Sequence, residues 1–208
     1  MKKAKMDPKK KRKLCILGVV VVIVFVAVLF YFFQKESEFG IPVLTIETPK
    51  KLSCEKTDTF ILDVMISHFG EAVYPAASMS ISFDASRLEF VGVEEGNVCI
   101  HYAGPNQNMQ QQLPEWSYNV EQSNKSGLIN IMYLDTTGGK NAFSKELLAE
   151  DENIVLRLKF RLRGSARAGD IYDLVIEDAV FAASDETQSL AMLQNTLKVK
   201  NSKIVIGE

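Results

Sequence analysis

The sequence predicts an all-β domain, a two-sheet sandwich of nine strands, preceded by one N-terminal transmembrane helix. Three observations predict it. An uncharged run of twenty residues follows a basic tail, short stretches of alternating apolar and polar residues begin near residue 41, and Gly, Asn, Asp and Ser separate those stretches.

The tail, residues 1–13, carries eight Lys or Arg against a single acid, Asp7. The run that starts at Leu14 and ends at Phe33 (residues 14–33) has no charged side chain. Twenty helical residues rise roughly 30 Å, which matches the hydrocarbon core of a bilayer. Positive flanks stay cytoplasmic, so residues 1–13 form a basic cytoplasmic tail and the chain beyond Gln34 is extracellular, in a single-pass protein of the cell membrane. A cleaved secretory signal has an apolar core of about 7–15 residues followed by small residues. Here the run ends Phe30-Tyr31-Phe32-Phe33-Gln34-Lys35, with nothing small to cut after. Pro8-Lys9-Lys10-Lys11-Arg12-Lys13 is similar to a nuclear import signal, yet it abuts an apolar span that would insert first. An uncleaved signal anchor is the reading that fits. Cys15 opens the run, where a lipoprotein cysteine would follow it; palmitoylation there requires a eukaryotic cell.

Residues 34–42 form a short linker that reaches at most about 30 Å. The domain at 43–208 is therefore held near the membrane face, and its partner must come there. Beyond the tail the chain has sixteen Lys or Arg and twenty-five Asp or Glu, about nine net negative charges. That balance repels phosphate backbones and argues against nucleic acid. Nearly 170 residues suffice for one core without staples. Cys54 and Cys99 are the only cysteines of this part, and one bridge or two free thiols both fit. No metal-type cluster is present.

The expected strands are Val43–Glu47, 59–67, 77–83, 88–94, 116–120, Leu128–Leu134, Ile154–Leu162, 172–181 and 197–206. The clearest is Ile154–Leu162, where Ile, Leu and Phe alternate with Arg and Lys, so one face enters the core and a basic face meets water. A helical turn is expected at 144–150, capped by Ser144. Asn106 to Gln112 reads as a solvated polar loop.

In the 77–83 strand, Ala77, Met79, Ile81 and Phe83 face the core, leaving a row of small hydroxyls, Ser78, Ser80 and Ser82, outside. In Leu128–Leu134, Ile129, Ile131 and Tyr133 fill the core and Asn130, Met132 and Leu134 face out. Two neighbouring apolar side chains facing water mark a covered surface, and Met suits an adaptable interface. Either a partner covers them or the loop 99–114 does. Asp135 reads equally as a solvated turn residue before Thr-Thr-Gly-Gly.

An enzyme is not expected. His68 and His101 lie in no nucleophile or metal motif, and Gly-x-Ser-x-Gly, His-Glu-x-x-His and phosphate loops are absent. Glu94 with Glu95, or Asp151 with Glu152, are adjacent acids that point to opposite faces of a strand and read as solvated turns, not as a glycosidase pair. Polysaccharide binding would need exposed aromatics. Trp116, Tyr118 and Tyr102 are the clustered candidates, and Trp116 reads equally as core.

The segments also resemble a family. Ala77-Ser78-Met79-Ser80-Ile81-Ser82-Phe83-Asp84, then Leu88-Glu89-Phe90-Val91-Gly92-Val93 and Gly96, resemble the third and fourth strands of cohesin domains. Gly127 to Asp135 with Thr136-Thr137-Gly138-Gly139 resembles the sixth strand and its loop; Ile154–Leu162, Ala168-Gly169 and Ile176 to Ala182 resemble the seventh and eighth. The resemblance covers about residues 43–206. It implies a cellulosome-type module with nine strands in jelly-roll topology that binds dockerins, small calcium-loaded helical domains of secreted proteins. Calcium then belongs to the partner, and this chain takes no cofactor. By position, the resemblance implies partner contacts at Ala76, Ser78, Ser80, Met132, Leu134, Asp135, Thr136 and Gly138, and the outward alternation adds Asn130. The best-known class carries Asn and Asp where Ala76 and Ser78 stand, so its dockerins are not the expected partners.

Overall fold

The computed structural model describes residues 40–52, 59–100, 111–138, 140–148, 153–164, 166–184, 191–193 and 195–207. Residues 41–208 form one compact unit. No helix among the described residues is long and apolar enough to cross a membrane; the expected span at 14–33 lies outside them.

Among the described residues there are nine strands: β1 Val43–Glu47, β2 Thr59–Ile66, β3 Ala76–Phe83, β4 Leu88–Glu95, β5 Leu128–Leu134, β6 Ile154–Leu162, β7 Ile171–Ala182, β8 Lys198–Lys200 and β9 Ser202–Val205. They form a five-stranded sheet in the order β4-β6-β2-β1-β8 and a four-stranded sheet in the order β5-β3-β7-β9. The inward residues of both sheets make one core, including Leu44, Val64, Ile81, Leu88, Ile129, Leu158, Phe160, Leu174 and Phe181. Period-two alternation is the cause: β5 reads inward at Ile129, Ile131 and Tyr133, and β3 at Ala77, Met79, Ile81 and Phe83.

Two expectations fail in instructive ways. Residues 116–120 are not a strand. Ser117 alone bridges Met132 of β5, and Val120 opens a helix, α1, Val120–Ser126. The cause is local. Asn119 is an N-cap whose side chain accepts from the Gln122 backbone, and Gly127 closes the helix in the left-handed conformation at φ 71°. The helix then covers the edge of β4: Asn124 Oδ1 accepts from Phe90 N at 2.9 Å and its Nδ2 donates to Phe90 O at 2.7 Å, as a neighbouring strand would.

The single strand expected at 197–206 is two. β8 pairs in parallel with β1 and β9 antiparallel with β7, so the chain changes sheet at Asn201, whose side chain accepts from Ile176 N at 3.0 Å. Crossing between sheets at one residue ties that side of the sandwich together. Of the expected turn at 144–150, the described part holds a 3-10 turn, Lys145–Leu147, and residues 149–150 lie outside the described residues. Ser144 sits at its N-cap position but makes no capping bond; it holds the Glu146 carboxyl below its usual range by hydrogen bonding.

The outer face of β6 is basic as expected, but its charges are answered. Arg157 meets Asp63 at 3.0 Å, Lys159 meets Glu94 at 2.6 Å and Arg161 meets Glu89 at 3.6 Å. Cys99 is a free thiol, and Cys54 lies outside the described residues.

Asn124→Ala removes both bonds to the buried Phe90 backbone. It is expected to destabilise the domain by about 2–4 kcal/mol in urea unfolding, whereas an exposed neighbour such as Lys125→Ala should change it little.

Candidate functional site

Three strands of the smaller sheet, β5, β3 and β7, present one continuous outer face. Antiparallel pairing sets its rows: Leu134, Ala76 and Ala182 lie side by side, then Met132, Ser78 and Val180, then Asn130, Ser80 and Asp178. Every strand-borne candidate from the sequence therefore falls on this face. Met132 is 52% and Leu134 60% exposed. The described ends of the 99–114 segment, bridged at Ile100 and Gln112, leave both uncovered; residues 101–110 lie outside the described residues.

The face is graded. At one end Met132, Leu134, Ala76, Val180 and Ala182 line a shallow apolar dimple of about 130 Å³. At the other end the groups are polar: Ser80 Oγ donates to Asn130 Oδ1 at 2.8 Å and Ser82 Oγ to Glu177 Oε1 at 2.7 Å. The hydroxyl row is thus only partly open, because two of its three serines are engaged. Ser78, the third, lies between Met132 and Val180 and is exposed. Small side chains on the central strand let another surface approach the sheet closely.

Sequence reasoning named no residue of β7 for this surface. Val180 and Ala182 belong to it, and so do Glu177 and Asp178. The pairing steps from Ser80–Asp178 to Ile81–Ile176, leaving Glu177 as an extra residue, so two consecutive acids face outward. Two adjacent acids inside an otherwise alternating strand were the signal for that bulge.

The loop after β5 is built by Asp135. Its Oδ1 accepts from Thr137 N at 2.8 Å and from Thr137 Oγ1 at 2.6 Å, which makes it the turn residue that one of the two readings expected. Thr136 is exposed beside it, and Gly138 takes a left-handed φ of 79° that favours glycine. Gly139 lies outside the described residues.

Beneath the face an aromatic cluster fixes β5. The Tyr133 ring lies 5.1 Å from Phe143 and 6.0 Å from Trp116, and Trp116 stacks on Phe143 at 5.9 Å. Tyr133 donates to Asn141 O at 2.6 Å, and burial together with the nearby Asp135 charge pushes its phenol up to about 12. It stays neutral and holds the loop. Trp116 is therefore partly buried, packed against the core. Tyr118 packs instead on Phe90, so the two aromatics share no sugar-stacking platform, and Tyr102 lies outside the described residues.

Between the end of β4 and the edge of β5 lies a larger cleft of about 840 Å³, walled in part by Glu95, Glu115, Trp116, Met132, Leu134 and Asp135. No group of three or more His, Cys, Asp or Glu residues suited to a metal occurs among the described residues. Glu94 and Glu95 do not act together. Glu94 pairs with Lys159 on the five-stranded sheet, Glu95 opens into the cleft, and Asp151 and Glu152 lie outside the described residues.

The cohesin domain model matches residues 44–200. No curated protein matches the chain. Similar solved structures include the seventh ScaB type I cohesin from Pseudobacteroides cellulosolvens, at 15% identity and TM-score 0.53, covering 80% of this chain and 92% of that one. The sixth cohesin of scaffoldin B from Acetivibrio cellulolyticus, solved in complex with a dockerin, is 18% identical with TM-score 0.55, covering 79% of this chain and 98% of that one. A Coh-OlpC–dockerin complex from Clostridium thermocellum is 15% identical with TM-score 0.55, covering 80% and 94%. These likenesses agree with the two-sheet architecture, and the family match spans most of the chain. The chain belongs to the cohesin domain family, one of non-catalytic dockerin-binding modules.

Proposed function

We propose that this chain is a membrane-tethered docking module whose β5–β3–β7 face binds the dockerin of a secreted protein. The observation that carries the reading is that face: exposed Met132 and Leu134 beside the small residues Ala76, Ser78 and Ala182, with no ion pair spanning it among the described residues. Exposed apolar side chains that no described neighbour covers favour burial by a partner. On the opposite sheet the cations of β6 are paired with acids of β2 and β4, and the exposed apolar residues Ile61 and Val199 stand on separate strands, β2 and β8. Cohesins of the same fold have been solved with dockerins bound, which supports the choice of partner. Asn130, Asp135, Thr136 and Gly138 border the face and form its rim.

The tether rests on residues 14–33, an uncharged span behind a basic tail. A single cohesin held near a membrane concentrates whatever carries the dockerin at that surface. Calcium acts on the partner, where it supports the dockerin loops.

Four outcomes are expected. In a pull-down of proteins secreted by the source organism, with the full chain as bait, a dockerin-bearing protein should be recovered in calcium and lost in chelator; polysaccharide alone, or an empty eluate, would contradict the reading. Met132→Glu should weaken docking by about 2–4 kcal/mol with the fold intact, since it sets a charge in the middle of the contact. Ile61→Glu, at an exposed apolar position of the other sheet, should leave docking unchanged. The full chain should remain in the membrane pellet after alkaline carbonate extraction, and a chain lacking residues 1–33 should be released.

A further inference from the structure

Among the apolar side chains of the β5–β3–β7 face, Met132 is the one whose polarity simple chemistry can reverse. It is 52% exposed, whereas Met79 and Met192 are buried in the core and Met65, on the other sheet, is half-buried. Among the described residues its sulfur is therefore the thioether most open to a dissolved oxidant. Its surroundings magnify the effect of a change there. Antiparallel pairing places Met132 across from Ser78, with Val180 beyond, and it lines the dimple of about 130 Å³ together with Leu134, Ala76 and Ala182. Two polar side chains are among the described lining of that dimple, and one of them, Tyr133, already gives its hydroxyl to Asn141 O. Ser78 is the donor that remains.

Resting on the docking reading above, we infer that Met132 is an oxidation site that closes the face to its partner, with a peroxide as the reagent. One oxygen of hydrogen peroxide bonds to the thioether sulfur, the O–O bond breaks and the other oxygen leaves as water. The sulfur gives up two electrons, the peroxide takes them, and no proton is gained or lost overall. A thioether suits this position because it is apolar and flexible. The sulfoxide is polar and accepts hydrogen bonds, and docking would bury it among Leu134, Val180 and two alanines with a single hydroxyl to answer it. Occupancy and oxidation therefore oppose each other. A docked partner shields the sulfur, so the oxidant acts on the empty chain, spares the complex and controls new docking. Leu134 and Val180 fill the same surface without this chemistry. Cys99 is also oxidisable, but it is half-buried and lies on none of the three strands.

The test uses the full chain carrying Cys99→Ser, treated with hydrogen peroxide, freed of it by catalase and titrated with a calcium-loaded dockerin module from a secreted protein of the source organism. Conversion of Met132 to the sulfoxide, read by peptide mass spectrometry, should weaken docking about tenfold, and methionine sulfoxide reductases should restore it. Met132→Leu serves as its own reference, and its affinity should be the same before and after peroxide. In a preformed complex Met132 should oxidise severalfold more slowly than in the free chain. Full conversion with unchanged affinity, or an equal loss in Met132→Leu, overturns the inference and leaves the docking face standing. If Met132→Glu leaves docking of the untreated chain intact, or no dockerin binds that chain, the docking reading falls and this inference falls with it.

Discussion

The register of β3 between β5 and β7 is the constraint on which the rest of the structure depends. A slip of one residue would turn Ala77, Met79, Ile81 and Phe83 out of the core and drive Ser78, Ser80 and Ser82 into it. Burial of those four side chains selects the register. The same choice sets Ala76 beside Leu134 and Ala182, and Ser78 beside Met132 and Val180. The proposed docking face is thus the reverse side of the core. Its flatness follows from small residues on the central strand, and its apolar end from the residues flanking them.

The two sheets share a core but treat their outer faces differently. On the larger sheet, cations of β6 lie between acids of β2 and β4, and the charges are spent within the sheet. On the smaller sheet, Met132 and Leu134 stand at one end, while Glu177 and Asp178, towards the other, form no ion pair with a described residue; beyond them Asp173 pairs with Lys203. Surface ion pairs contribute little stability, roughly 0–1 kcal/mol each. Their effect here is to leave the β6 cations of the larger sheet paired.

Much of this was legible in the sequence because period two is easy to read where one face is wholly apolar. β1, β5 and β6 begin and end at the expected residues, and the outward set of Asn130, Met132 and Leu134 follows from the inward set. What was not legible has three physical causes. Trp116-Ser117-Tyr118-Asn119-Val120 alternates like a strand, but the Asn119 and Gly127 caps favour a helix from Val120, and Trp116 is drawn to the Tyr133 and Phe143 rings. Lys198 to Ile206 has continuous strand character, and only long-range pairing divides it at Asn201 between two sheets. The cleft joins Glu95 to Glu115 and Asp135, residues brought together by the fold and separated in the chain. The β7 share of the face was missed for a smaller reason: the bulge at Glu177 breaks the alternation that would have pointed to Val180 and Ala182.

The central claim is that the β5–β3–β7 face, and not the opposite one, meets the dockerin. Hydroxyl-radical footprinting reads this directly, because Met132 lies on the proposed face and Met65 is a partly exposed methionine on the other sheet. With a calcium-loaded dockerin bound, the oxidation rate of Met132 should fall severalfold and that of Met65 should stay the same. Protection of Met65 with Met132 unchanged would place the partner on the larger sheet and contradict the account.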